Sequence, residues 1–338
     1  MQDVIIIGAG PVGLYLAKRL EKRLRVLVIE EDKNIGKPVH CSGLVSKNLF
    51  RFVKQDRAWI EHEVNGALIH APNGKKLRLK KRNVYVINRA GFDKHLANQI
   101  SSRIMKNTRA KRISIKDTVK VETNKGVYES RILVGCDGSN SMVARHFNAK
   151  PRETMNGIIA ITRERNHDDF VELWFDKRVT DGVLWKIPRG RKTEYGGMGN
   201  NLKFNALKEF FGLKDFEKRA GRIPMGPPKT YFNHCLLVGD AAAQIKPWSG
   251  GGLVYGLTCA DIAAENITKA FKRNDFSESF LKRYEQEWKK RIGGRIKAGM
   301  LARGMLKRMN NAQISLALSS ANRVRFLMNK LDMDYLVK

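Results

Sequence analysis

The sequence predicts an α/β fold: a parallel sheet assembled from separated segments, an inserted antiparallel sheet, and a helical C-terminal tail. Three observations carry this prediction. Val4–Leu20, VIIIGAGPVGLYLAKRL, leads from apolar β-formers through Gly8-x-Gly10-x-x-Gly13 into a helical pattern. Leu24–Asp32, LRVLVIEED, is a second apolar strand that ends on Glu30 and Glu31. Leu236–Leu257, LLVGDAAAQIKPWSGGGLVYGL, repeats the strand, glycine and helix pattern far downstream.

Each element has a physical reason. A glycine triplet between strand and helix is the context of a Rossmann-like dinucleotide site. Its first glycine permits the tight turn, its second admits a pyrophosphate, and its third lets helix pack on strand. The helix N-terminus faces the phosphates. Glu30, with Glu31 beside it, stands where an acid accepts hydrogen bonds from a ribose, which favours NAD or FAD over NADP. The late Gly239-Asp240 turn favours FAD, whose ribityl chain and ring also need holding. Asp240 comes to the carboxyl edge of the sheet. Gly250, Gly251 and Gly252 then open a helix at Leu253, and their amides suit the pyrimidine edge of a flavin. Two further segments fit between these. Arg131–Phe147 places Asp137 and Gly138 between a strand and a Ser-capped helix, and Val86–Ile100 places Arg89 between a strand and a helix. Taken alone, each is an ordinary strand-to-helix turn.

The chain of 338 residues is long enough for one large domain or two interlocked ones. Lys and Arg number 64 against 33 Asp and Glu, a formal charge of +31. That charge attracts phosphorylated substrates, an anionic membrane surface or nucleic acid, or else reflects a basic proteome. The four cysteines, Cys41, Cys136, Cys235 and Cys259, form no CxxC pair, so no zinc site is expected. No apolar run is long enough to span a bilayer. The expectation is a cytoplasmic protein, with the inner face of the membrane as a candidate contact.

Taken together, Gly8 to Gly13, Asp137-Gly138 and Gly239-Asp240 resemble the flavoprotein superfamily that includes para-hydroxybenzoate hydroxylase. Gly36–Ser46, GKPVHCSGLVS, resembles the Cys-x-Gly-Leu segment of archaeal geranylgeranyl reductases. Ile245–Leu257, IKPWSGGGLVYGL, resembles their Lys-Pro-x-x-Gly-Gly-Gly stretch. Val171–Gly190 resembles their substrate strand more loosely: Trp185 and Pro188 are kept, while Val183 and Ile187 replace common aromatics.

The resemblance implies an FAD-binding domain of the para-hydroxybenzoate hydroxylase type, from 1–55, 83–155 and 225–275. It implies a substrate sheet from 56–82 and 156–224, with 276–338 as a helical segment. It implies reduction of isolated C=C bonds in an isoprenoid lipid, with FAD recharged by reduced ferredoxin or NAD(P)H. Cys41, Ser42, Gly43, Arg89 and Pro247 would line the FAD. Cys41 is the candidate catalytic thiol, set against the reading of a small buried cysteine. Lys246 is a candidate partner for a reduced flavin or a phosphate headgroup, set against solvated surface. Trp174, Trp185 and Trp248, with Phe170 and Phe175, are candidates for an apolar channel, set against ordinary core. In the tail, Ile314, Leu318, Ala321, Val324, Met328 and Leu331 make one apolar stripe. Trp288–Met309 is basic, and its glycines argue against a strong helix. The competing functions are an aromatic-ring monooxygenase on the same fold, and a nucleic-acid-binding flavoprotein supported only by charge.

Overall fold

The computed structural model describes residues 1–323 together with Asn329 and Asp334. Its first sheet contains β1 (Gln2–Ile7), β2 (Val26–Ile29), β6 (Arg103–Met105), β9 (Gly126–Gly135) and β16 (Cys235–Leu237). These run parallel in the order β16-β9-β1-β2-β6, with β15 (Tyr231–Phe232) antiparallel at one edge. A hairpin of β7 (Ala110–Ile115) and β8 (Val119–Thr123) continues from β9. The continuous apolar runs seen in the sequence follow from cover on both faces. Val4 and Ile6 join a core with α1 (Pro11–Leu20), α5 (Leu253–Arg273) and α6 (Glu278–Trp288). Ile5 and Ile7 point the other way, into a core with the β7–β8 hairpin and α3 (Met142–His146).

The second sheet contains β3 (Leu44–Ser46), β4 (Ile60–His70), β5 (Lys76–Ile87), β10 (Glu153–Thr162), β11 (Phe170–Trp174), β12 (Val183–Pro188), β13 (Thr193–Gly199) and β14 (Glu217–Met225). Its order is β14-β10-β13-β12-β11-β4-β5-β3, antiparallel except where β11 meets β4. The Asn73-Gly74 turn, a pair that favours hairpins, closes β4–β5, with Gly74 N donating to Ala71 O. Helix α4 (Phe204–Phe211) covers one face through Leu207, against Ile158, Leu184 and Tyr195. Two details differ from the expected division of the chain. Leu44–Ser46, expected with the first sheet, pairs with Val84–Val86 in the second. Strand β5 also runs across the expected boundary at 82–83 to end at Ile87, so that Asn88 caps α2 (Arg89–Ala97).

The tail is helical, and its basic stretch is a correction to the sequence reading. A π-helical turn at Lys289–Gly293 runs directly into α7 (Gly294–Arg308), followed by α8 (Asn311–Arg323). The glycines do not break α7, because packing outweighs propensity there. A Cβ on Gly299 would lie 2.6 Å from the Trp248 ring. Of the apolar stripe, Ile314 is buried, and Val324, Met328 and Leu331 lie outside the described residues. Among the described residues, no helix is long and apolar enough to cross a membrane.

Candidate functional site

The carboxyl ends of the parallel strands bring the first candidates together. Gly8 follows β1, Glu30 follows β2, Asp137 follows β9 and Gly239-Asp240 follows β16. Gly8 has φ +103°, and a Cβ there would lie 2.4 Å from Cys136 O. A Cβ on Gly13 would meet Gly8 O at 2.0 Å, so helix and turn touch through glycine alone. Gly10 has open space around it and leaves the α1 N-terminus without a side-chain cap. These are the features of a phosphate cradle. Glu30 Oε2 accepts from Ala9 N at 2.6 Å, so the acid and the glycine loop share one wall. Burial raises the Glu30 pKa, partly offset by the amides of Asp32 and Ala9. Glu31 separates from it, exposed and paired with Arg109 at 3.4 Å.

On the other side of β1, Asp137 accepts from Ser141 Oγ at 2.6 Å and from Met142 N at 2.7 Å. It therefore binds the start of α3, and Gly138 beside it is open. Asp240 is exposed, yet the protein crowded around its carboxylate raises its pKa, while the Arg89 charge pulls it back. A Cβ on Gly252 would meet Asp240 Oδ1 at 2.6 Å, so the triple glycine and the late aspartate form one surface. Gly252 caps α5 with no side-chain acceptor, leaving the amides at Leu253 available.

Arg89 joins this surface to the Cys41 segment. Its guanidinium pairs with Asp93 at 3.2 Å and lies beside the Cys41 side chain. Burial works to lower the Arg89 pKa, but the Asp93 carboxylate and the neighbouring Cys41 side chain outweigh it and raise it. Cys41 Sγ also accepts from Gly43 N at 3.4 Å. Gly43 has φ +69°, and a Cβ there would lie 2.3 Å from Ile87 O, so the segment presses on the end of β5. Cys41 is half-buried, whereas Cys136, Cys235 and Cys259 are buried and their thiol pKa values pushed up by that burial.

The aromatic candidates divide. Trp185, Leu173 and Phe175 share an apolar cluster with Met155, Val183, Met198 and Ile245, and a Cβ on Gly250 would touch Ile223 and Met198 of that cluster. Trp174 points to the opposite face of the sheet, stacked on His70 at 4.5 Å and against Phe210 and Phe211. Phe170 lies under Arg78. Trp248 and Pro247 pack on Gly299 of α7. The alternation of β11 separates Leu173 from Trp174, so the tryptophans do not form one channel.

Lys246 is not surface: it is 4% exposed and pairs with Asp334 at 2.8 Å. Sequence reasoning missed Asp334, one of two aspartates at the end of a basic tail. It also missed Arg189 and Glu194, which lie among many charged residues with no motif to distinguish them. Only the fold makes them neighbours, at 2.8 Å.

The arrangement fits FAD: a bare helix N-terminus with an acid beside it, and a second bare N-terminus beside Asp240. Known structures share the fold. A geranylgeranyl bacteriochlorophyll reductase-like protein from Thermoplasma acidophilum aligns with TM-score 0.88 at 22% identity, over 99% of this chain and 93% of that one. The halogenase PltM, solved with FAD, aligns with TM-score 0.73 at 13% identity, over 98% of this chain and 87% of that one. Fold and site define a flavoprotein of the para-hydroxybenzoate hydroxylase type that uses FAD. The lycopene cyclase protein family profile matches residues 3–189. A digeranylgeranylglycerophospholipid reductase of Methanococcus aeolicus is 31% identical over 86% of this chain and 82% of its own length. One of Methanocaldococcus jannaschii is 28% identical over 92% of this chain and 88% of its own length. The chain belongs to the geranylgeranyl reductase family and is an FAD-dependent oxidoreductase.

Proposed function

We propose that this protein reduces isolated double bonds of geranylgeranyl chains on membrane ether-lipid precursors. The observation that carries this reading is the meeting of Cys41, Arg89 and Asp240 beside a triple-glycine wall that touches the apolar Met198–Ile223 cluster. An isolated trisubstituted alkene has no carbonyl to accept charge, so one carbon must receive a hydride and the other a proton, away from water. Bound FAD, reduced by ferredoxin or NAD(P)H, would supply the hydride. The chain supplies the rest. Leu173, Phe175 and Trp185 orient the prenyl chain and exclude water. The Cys41 thiol, bonded by Gly43 N and with Arg89 beside it, carries the proton. Asp240, Glu30 and the glycine turns bind the cofactor.

The test is anaerobic: reduce the purified holoenzyme with dithionite, add digeranylgeranylglycerophospholipid, and weigh the lipid. Flavin reoxidation with two hydrogens gained per double bond is expected. A flavin that stays reduced until oxygen enters sinks the reading and favours a ring hydroxylase. Cys41→Ala should keep FAD and lose at least about a hundredfold in turnover, the usual worth of a positioned proton donor. Unchanged turnover would make Cys41 a packing residue.

In this reading α7 meets the membrane. Leu301 and Met305 are 63% and 68% exposed, one helical turn apart. Lys297 and Arg308 flank them, and the sequence holds no acid between Glu287 and Asp332. The opposite side of α7 packs on Trp248, next to the triple glycine. Exposed apolar groups among cations suit an anionic bilayer. Leu301→Glu with Met305→Glu should abolish co-sedimentation with anionic vesicles while leaving FAD bound. Sedimentation at the unsubstituted level would remove α7 from the interface.

A further inference from the structure

All three nitrogens of one guanidinium are engaged behind the Cys41 segment. Arg189 follows β12, with a side chain 7% exposed. Its Nε donates to Glu61 Oε2 at 2.8 Å, and Nη2 reaches the same oxygen at 2.6 Å. Nη2 also donates to Ile87 O at 3.2 Å. Nη1 donates to Ser42 O at 2.6 Å and to Glu194 Oε2 at 2.8 Å. Four hydrogen bonds and one further ion-pair contact thus use all three nitrogens of the fork, whereas lysine has only three donors on a single atom. Glu194 is fully buried, and its second oxygen accepts from Trp185 Nε1 at 3.0 Å. The Trp185 ring lies flat on Gly196, where a Cβ would approach to 2.3 Å.

We propose that Arg189 and Glu194 are positioning residues, which lock the Cys41–Gly43 segment to the end of β5 and to the indole of Trp185. The two carbonyls that Arg189 holds bracket the thiol. Ser42 O belongs to the residue after Cys41, and Ile87 O is the atom that Gly43 presses on, two residues before Arg89. At the other end of the segment, His40 Nδ1 donates to Ala220 O of β14 at 2.6 Å. The segment is thereby fastened to the second sheet on both sides of Cys41, and the sulfur keeps one position relative to the Trp185 wall. The role of Cys41 in reduction rests on the function proposed above; the lock itself does not.

Thiol chemistry tests the lock without any substrate. Cys41 is the one cysteine of the four that is not buried, so alkylation of the folded holoenzyme by iodoacetamide reports on its segment. Cys41→Ser supplies the background rate. Arg189→Lys keeps a positive charge beside buried Glu194 but cannot reach Ser42 O and Ile87 O together. Its Cys41 should react at least about tenfold faster, the opening expected when a charge-assisted hydrogen bond no longer holds a segment. FAD content should stay stoichiometric, and kcat should fall more than KM rises. Glu194→Gln keeps volume and an acceptor for Trp185, and serves if Arg189→Lys does not fold. It should raise the alkylation rate about threefold and shift the Trp185 fluorescence. A folded Arg189→Lys or Glu194→Gln protein that reacts at the unsubstituted rate overturns the lock. If the lock holds but the Cys41→Ala enzyme still reduces lipid, the lock stands and the catalytic reading of Cys41 falls.

Discussion

One methyl group at Gly252 would decide whether Asp240 keeps its place. Its φ of −106° suits alanine, so the cost of Gly252→Ala is contact alone. The new Cβ would meet Asp240 Oδ1 at 2.6 Å and Ile245 Cγ2 at 2.8 Å. We expect a folded protein whose FAD affinity drops about tenfold or more, as overpacking displaces the carboxylate; flavin titration measures it, and a stoichiometric yellow protein would refute it. Glycines and acids at turns were the legible part of the site, because a bare backbone approach leaves a mark in composition. Glu31 shows the limit. Two adjacent acids end β2, and only the strand's side-chain alternation turns Glu30 to Ala9 N and Glu31 to solvent. Arg189 shows the other limit. Nothing local distinguishes it, because its four partners come from four separate segments of the chain.

At the scale of elements, apolar patterning succeeded wherever burial was two-sided. Strands β1, β2 and β9 announced themselves as continuous apolar runs, and the Asn73-Gly74 turn announced its hairpin. Helix α7 went the other way. Its glycines suggested a weak helix, yet Gly299 is there because Trp248 occupies the space a side chain would take. Gly299→Leu should therefore lower stability despite leucine's better propensity, by about 1–3 kcal/mol from overpacking. Thermal melting checks this; a higher Tm would mean that Trp248 can move aside without cost. Likewise β11 presents two faces, and its neighbours decided which face met the wall and which met α4.

Across the whole molecule, buried ion pairs fasten the tail to both sheets. Arg303 of α7 pairs with Glu153 of β10 at 3.0 Å. Asp334 pairs with Lys246 at 2.8 Å and accepts from Asn48 Nδ2 at 3.1 Å, with Ser46 also bonded to it. The hydrogen bond from Arg303 holds the Glu153 carboxyl below its ordinary range, against burial and with help from Lys307. A depressed carboxyl contributes its full stability above the unfolded value and loses it as pH falls through the lower, folded one. Glu153→Gln should thus cost about 1–3 kcal/mol at neutral pH, and the two proteins should converge in acid below the lowered value. Melting curves across pH decide it, and a gap that persists in strong acid would assign the cost to packing. Asp334→Asn should cost about 3 kcal/mol, since it leaves Lys246 buried without its counter-charge; an unchanged Tm would show that water relieves that lysine. The sequence by itself determined the parallel sheet, the FAD turns and the Cys41 segment, since each is a local demand for apolar runs, glycine or an acid at a fixed offset. Only the tertiary structure decided which tryptophan faces the glycine wall, that Lys246 is buried, and that Arg189 stands behind Cys41. Those outcomes depend on which distant segments meet, and a charged residue in a chain of +31 carries no local sign of the partner it will find.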